Sequence, residues 1–262
     1  MVRLVRPANL LIGAASILLG AWVTGRSLQP VAKVLLACLS GALVMAGANA
    51  INDVYDLDID RVNRPQRPLP SGQLAVGAAR TLAIFFFVTG VFFSIFIALI
   101  SIIVAALTVA LLWLYSARLK RTPLWGNLAV STVTGLAFIY GALAVGRWKE
   151  ALIPAGFAFL FHLGREIIKD VEDLPGDRQL GAATLPVQFG RRLALRVSTS
   201  AFALLLVATY LPYGFGLYGQ TYWKIVLFGV DSVLAGVMVA LLRDPPAHVL
   251  GRLSTLLKVD MV

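Results

Sequence analysis

Residues Leu82 to Leu114 read LAIFFFVTGVFFSIFIALISIIVAALTVALLWL, 33 residues without a single charge. As one helix this run would be about 50 Å long against about 30 Å of bilayer hydrocarbon, so it must be two helices joined by a tight turn. The turn is expected near Ser94 to Ser101. Pro7 to Gly25, Val34 to Ile51 and Thr122 to Gly146 are further uncharged runs of at least span length. With 59% hydrophobic and 14% charged residues and a mean hydropathy of +0.83, the chain reads as an all-α, multi-pass transmembrane bundle. A membrane barrel would alternate polar and apolar residues and show no such runs.

Hydrophobic runs and the punctuation between them predict helices over about 8–25, 32–52, 80–97, 99–116, 123–145, 150–170, 193–213 and 223–242. That makes eight full spans. Residues 250–262 begin like another helix and stop too soon to cross, as a surface helix or a truncated ninth span. One transmembrane domain, 1–262, is expected.

The net charge of +10 could suggest nucleic acid, but the placement of the charges argues otherwise. With the N-terminus in the cytoplasm, 18 of the 23 Lys and Arg lie on that side; Arg26, Lys33, Arg147, Lys149 and Lys224 lie outside. This is the positive-inside pattern of a cell-membrane protein, and it accounts for the basic surplus without a nucleic-acid partner. The lone Cys38 excludes an intramolecular disulfide framework and reads as a packing residue.

Nine of the thirteen acids fall in two short windows, 53–60 and 166–177. Asp53, Asp56 and Asp60 have the spacing of one helix face, and Asp170, Asp173 and Asp177 repeat it with Glu166 a turn earlier. Like charges so placed repel, so a bound cation is expected. The windows align at an offset of 117, Arg61 with Arg178 included, and Leu69-Pro70 and Leu185-Pro186 follow at 116. This predicts a duplicated four-helix unit, about 1–116 and 123–242, each copy with an acidic motif on the same membrane side. Two facing carboxylate triads would suit a hard divalent cation, above all Mg²⁺. The competing reading is solvated helix ends whose acids pair with Arg61, Arg64, Lys169 and Arg178.

Asn52 to Asp60 resembles the NDxxDxxxD motif of the UbiA superfamily of intramembrane prenyltransferases, and Asp170 to Asp177 resembles its second motif, DxxDxxxD. The likeness extends through Arg6-Pro7-Ala8-Asn9 and Tyr115 to Arg121 over nearly the whole chain. The superfamily has nine helices, and the short C-terminus departs from it. Asn63 to Gly72, Leu119 to Asn127 and Gly164 to Asp173, with Gly176-Asp177-Arg178 and Thr184-Leu185-Pro186, are most similar to the archaeal-type digeranylgeranylglyceryl phosphate synthase branch. That resemblance implies transfer of a geranylgeranyl group from its diphosphate to the hydroxyl of geranylgeranylglyceryl phosphate.

The residues present suit such chemistry. An allylic diphosphate ionises when cations neutralise the charge building on the leaving group. Asp53, Asp56, Asp170 and Asp173 are the expected metal contacts, with Asn52, Asp60 and Asp177 as further or water-mediated ligands. Lys120 and Arg121, with Arg64 and Lys169, are candidate phosphate binders, and Asn9 and Asn49 either reach the pocket or bond across helices. Phe85, Phe86 and Phe87 could line an isoprenoid pocket or pack against lipid. Asp231 and His162 are intramembrane polar residues without an assigned role. Arg64, Arg67, Lys120, Arg121, Lys169 and Arg178 exceed what one diphosphate needs, which favours a lipid-phosphate acceptor. The rival readings are an aromatic prenyltransferase acting on a quinone precursor and, from another class, a divalent cation transporter.

Overall fold

The computed structural model describes residues 2–260, with the side chains of 4–62 and 64–258. Residues 261 and 262, the end of the expected ninth helix, lie outside the described residues, as does the side chain of Arg3 from the inner charge count. Among the described residues there is no strand. Nine long helices follow one another among these residues: α1 Pro7–Gly25, α2 Val31–Tyr55, α3 Val76–Ser94, α4 Leu99–Ala117, α5 Trp125–Ala144, α6 Leu152–Glu172, α7 Arg191–Gly214, α8 Gln220–Leu242 and α9 Ala247–Asp260. A π-helical turn, Val226–Asp231, interrupts α8.

Seven of these, α1 to α5, α7 and α8, are long and apolar enough to cross a membrane. Helix α6 has the length, at 21 residues, but Arg165, Glu166, Lys169, Asp170 and Glu172 crowd its last two turns and make it less apolar. Leu11 at 71%, Phe85 at 59% and Phe228 at 74% exposure show the inverted surface of a protein whose outer solvent is lipid. The 33-residue apolar run does divide. Ile95, Phe96 and Ile97 bond back to Phe92, Phe93 and Ser94, and Ala98 is extended before α4 begins. Ile97 is buried at this turn, while Phe96 and Leu99 face outward.

The chain forms two compact units, Met1–Leu119 with Thr132–Gly156, and Lys120–Ser131 with Phe157–Val262. In the first, missing side chains let helices meet at backbone distance. A Cβ on Gly141 of α5 would lie 1.9 Å from the Ile17 carbonyl oxygen of α1, and one on Gly20 would lie 2.3 Å from that of Phe138. Between lipid-solvated helices, where apolar burial drives little, such close van der Waals contact and buried hydrogen bonds supply the attraction. Ser40 of α2 takes part in two of those bonds: its hydroxyl donates to the Gly90 carbonyl and, with that proton engaged, accepts from the Tyr140 hydroxyl, both at 2.7 Å. Cys38 sits half-buried with its Sγ 3.6 Å from the Ala14 carbonyl oxygen.

In the second unit, Ile167 and Ile168 of α6, Phe202 and Leu205 of α7, Leu234 of α8, and Leu250 and Leu257 of α9 form one buried cluster. Asp231 accepts from the Thr209 hydroxyl at 3.2 Å, and the Tyr222 hydroxyl donates to the Thr209 carbonyl at 2.8 Å, which ties α7 to α8.

Candidate functional site

In the first unit α2 carries the acidic motif to its own end. The helix stops at Tyr55; Asp56, at φ −95° and ψ 4°, forms the joint; a short helix, Leu57–Asn63, continues. The expected helix from Asp53 to Asp60 is therefore interrupted at its middle acid, Asp56. Asp56 accepts from the Asn52 side chain at 2.8 Å.

Asp53 and Asp60 are buried and meet arginines. Arg67 Nη1 stands 2.5 Å from Asp60 Oδ2 and 3.4 Å from Asp53 Oδ1, and Arg6 also pairs with Asp53 Oδ1. Arg6 reaches this place through its backbone. It adopts the left-handed conformation, φ 54° and ψ 73°, immediately before Pro7, which disfavours the right-handed helical region for the residue it follows. Leu4 is buried in the core of the first unit, and Asn49 donates its side-chain amide to the Val5 carbonyl at 2.8 Å. Asn49, expected at a pocket or between helices, thus pins the turn that presents Arg6. Asn9 lies in the first turn of α1, with its backbone N–H on the Arg6 carbonyl. Arg64 is exposed, and Asp58 and Arg61 form an exposed pair of small energetic weight.

The second unit repeats the construction. Helix α6 ends at Glu172; Asp173, at φ −83° and ψ 0°, is the joint; Leu174–Gln179 continues. The amides of Asp56 and Asp60 bond to the carbonyls of Asn52 and Asp56, and those of Asp173 and Asp177 to the carbonyls of Lys169 and Asp173. The acids are satisfied differently, however. Asp170 accepts from the Asn127 amide at 2.8 Å, and Asp177 from the Thr184 hydroxyl at 2.9 Å. Thr184 stands seven residues after Asp177, as Arg67 stands seven after Asp60. Burial pushes the Asp177 carboxyl above its ordinary range, the Thr184 hydrogen bond draws it partly back, and the Asp173 carboxylate raises it further.

Lys169 is engaged with Glu166 at 2.9 Å, and Arg165 holds the same carboxylate at 3.0 Å. Lys120 and Arg121 form a single 3₁₀ turn whose Arg121 carbonyl accepts from the Ala183 amide at 2.9 Å, so this turn and the segment after the second motif meet. The Arg121 side chain is exposed. His162 is buried with Nδ1 3.1 Å from the Ala158 carbonyl oxygen, a bond within its own helix. Phe87 packs against Trp113 in the core of the first unit, and Phe85 faces outward.

Among the described residues no group of three or more His, Cys, Asp or Glu is already gathered as a metal cage. The donor chemistry fits a hard cation nonetheless: the carboxylates of Asp53 and Asp60 converge on one positive group, the Arg67 guanidinium. The sequence reading missed Arg6, Asn127 and Thr184 as partners of the acids. Arg67, expected among the phosphate cations, is paired here with the two carboxylates Asp53 and Asp60.

The chain matches the model of the UbiA prenyltransferase family over residues 14–250. It is 40% identical to the digeranylgeranylglyceryl phosphate synthase of Methanopyrus kandleri, covering 100% of this chain and 94% of the relative. With the synthase of Thermococcus kodakarensis it shares 35%, covering 99% and 93%. A solved structure of digeranylgeranylglyceryl phosphate synthase superposes with a TM-score of 0.87 at 29% identity, covering 99% of this chain and 92% of that one. A UbiA homologue from Archaeoglobus fulgidus bound to GPP and Mg²⁺ has the same fold, with a TM-score of 0.72 at 22% identity over 99% and 97% of the two chains. The family match spans nearly the whole chain, both acidic motifs included, and the chain belongs to the UbiA prenyltransferase family.

Proposed function

We propose that this prenyltransferase moves a geranylgeranyl group from geranylgeranyl diphosphate to the free hydroxyl of geranylgeranylglyceryl phosphate, forming an ether-lipid precursor. The observation that carries this reading is full-length identity of 32 to 40% with relatives named digeranylgeranylglyceryl phosphate synthase. In the reaction the allylic C1–O bond breaks, diphosphate leaves, and the acceptor oxygen bonds to C1 and releases its proton.

The first motif's Asp53, Asp56 and Asp60, with Asn52, and the second motif's Asp170, Asp173 and Asp177 would hold Mg²⁺. When bound, Mg²⁺ neutralises charge on the departing diphosphate. Asn127 and Thr184 fix the directions of Asp170 and Asp177. Arg121, Lys120, Arg64 and Lys169 would bind phosphate oxygens through charge-assisted hydrogen bonds. The partners are an isoprenyl diphosphate, a lipid-phosphate acceptor and the surrounding membrane.

Helix α6 would be the eighth span, with the N-terminus and both motifs on the cytoplasmic side, as the distribution of Lys and Arg supports. The chain would act as one transmembrane domain built from a duplicated unit. Matching joints at Asp56 and Asp173 support that duplication.

The test is incubation of purified protein with Mg²⁺, geranylgeranyl diphosphate and separate acceptors, followed by mass spectrometry of the lipids. An ether on geranylgeranylglyceryl phosphate is expected, with little or no product on 4-hydroxybenzoate. Ring alkylation without ether would assign the chain to aromatic prenyl transfer instead.

A further inference from the structure

The two acidic motifs share a backbone and differ in what neutralises them. Asp53 and Asp60 have side chains only 3% and 7% exposed, and between them stands Arg67, itself 19% exposed, with Arg6 also on Asp53. A guanidinium does not lose its proton in a protein, so the positive charge stays wherever that side chain stays. The corresponding acids of the second motif, Asp170 and Asp177, accept from a neutral amide and a neutral hydroxyl. Neutral donors can share a carboxylate with a metal ion; a guanidinium repels it. Arg67 and Thr184 are the residues that make this difference, each seven positions beyond the last acid of its motif.

We propose that Arg67, assisted by Arg6, is the resident counterion of the first motif and must leave its carboxylates before a divalent cation binds there, whereas the second motif takes the cation directly. This rests on the reading of the motifs as the Mg²⁺ site. Arg67 and Arg6 then need another anion, and a prenyl diphosphate offers oxygens suited to a guanidinium fork. Loading of the first motif is thereby coupled to arrival of the donor.

The experiment is Mn²⁺ binding by the purified full chain in detergent, without any diphosphate, read by electron paramagnetic resonance. The wild type should bind Mn²⁺ at the second motif, with the signal lost in Asp170→Asn and kept in Asp53→Asn. Arg67→Thr, which copies the second motif, should add binding at the first motif at least about tenfold tighter than in the wild type, the weight of a lost charge-assisted contact. That gain should vanish when Asp53→Asn is added. Arg67→Lys keeps the charge and should stay near wild type. If Arg67→Thr does not fold, Arg6→Gln removes the other guanidinium and should tighten binding likewise. Unchanged Mn²⁺ affinity in folded Arg67→Thr and Arg6→Gln, or equal tightening in Arg67→Lys, would overturn the counterion. Binding indifferent to both Asp53→Asn and Asp170→Asn would instead remove the metal site itself, and the counterion with it.

Discussion

Asn127 holds Asp170: its side-chain amide donates to Oδ2 at 2.8 Å from a position 43 residues earlier, and both side chains lie in the same unit. A residue that orients a metal-binding carboxylate typically changes metal affinity or activity by about 10- to 100-fold when removed. Asn127→Ala should therefore raise the Mg²⁺ concentration needed for half-maximal transfer by that factor. A Mg²⁺ dependence identical to wild type would reduce Asn127 to a packing residue.

Asn49 acts at one remove. Its bond to the Val5 carbonyl fixes the turn from which Arg6 reaches Asp53. Asn49→Ala should cost about 1 kcal/mol of stability and release Arg6 as well. In a double-mutant cycle with Arg6→Gln the loss in the double variant should fall short of the sum of the two single losses by at least about 0.5 kcal/mol. Strict additivity would separate the two residues.

Two glycines should respond differently to a methyl group. A Cβ at Gly141 would meet the backbone of Ile17 at 1.9 and 2.8 Å, and no rotamer change can relieve a backbone clash. Gly141→Ala should therefore lower stability in detergent by about 1 to 3 kcal/mol. Gly77, in the first turn of α3, has nothing within 4 Å of the same position, so Gly77→Ala should be neutral or stabilise by up to about 1 kcal/mol. Equal melting temperatures for the two variants would contradict the close contact of α1 and α5.

What could be read from the sequence was whatever repeats or whatever exceeds a physical length. Leu82 to Leu114 had to divide because it is too long to be one span, and it divides at Ile95 to Ala98. The break in the second motif had a local signal, Pro175, two residues after the joint; the first motif breaks at Asp56 with neither Pro nor Gly nearby. Arg6 was unreadable as a partner of Asp53, since 47 positions separate them and their contact depends on a left-handed residue, a buried Leu4 and a hydrogen bond from Asn49. Near a membrane, an arginine that serves topology and one that serves a site have the same sequence signature.

Arg121 allows these two roles to be separated by experiment. Its carbonyl holds the Ala183 amide at 2.9 Å, a main-chain bond that does not involve the side chain. Arg121→Ala should therefore keep the turn and remove only the exposed guanidinium. If that group binds diphosphate, the loss of a charge-assisted contact worth about 1.5 to 3 kcal/mol should raise KM for geranylgeranyl diphosphate by about 10- to 150-fold. Arg61→Ala is the control. Arg61 is likewise exposed and belongs to the same inner charge count, but its partner is Asp58 on the surface, so the variant should keep wild-type kinetics. Equal kinetics for Arg121→Ala and Arg61→Ala would return Arg121 to topology alone.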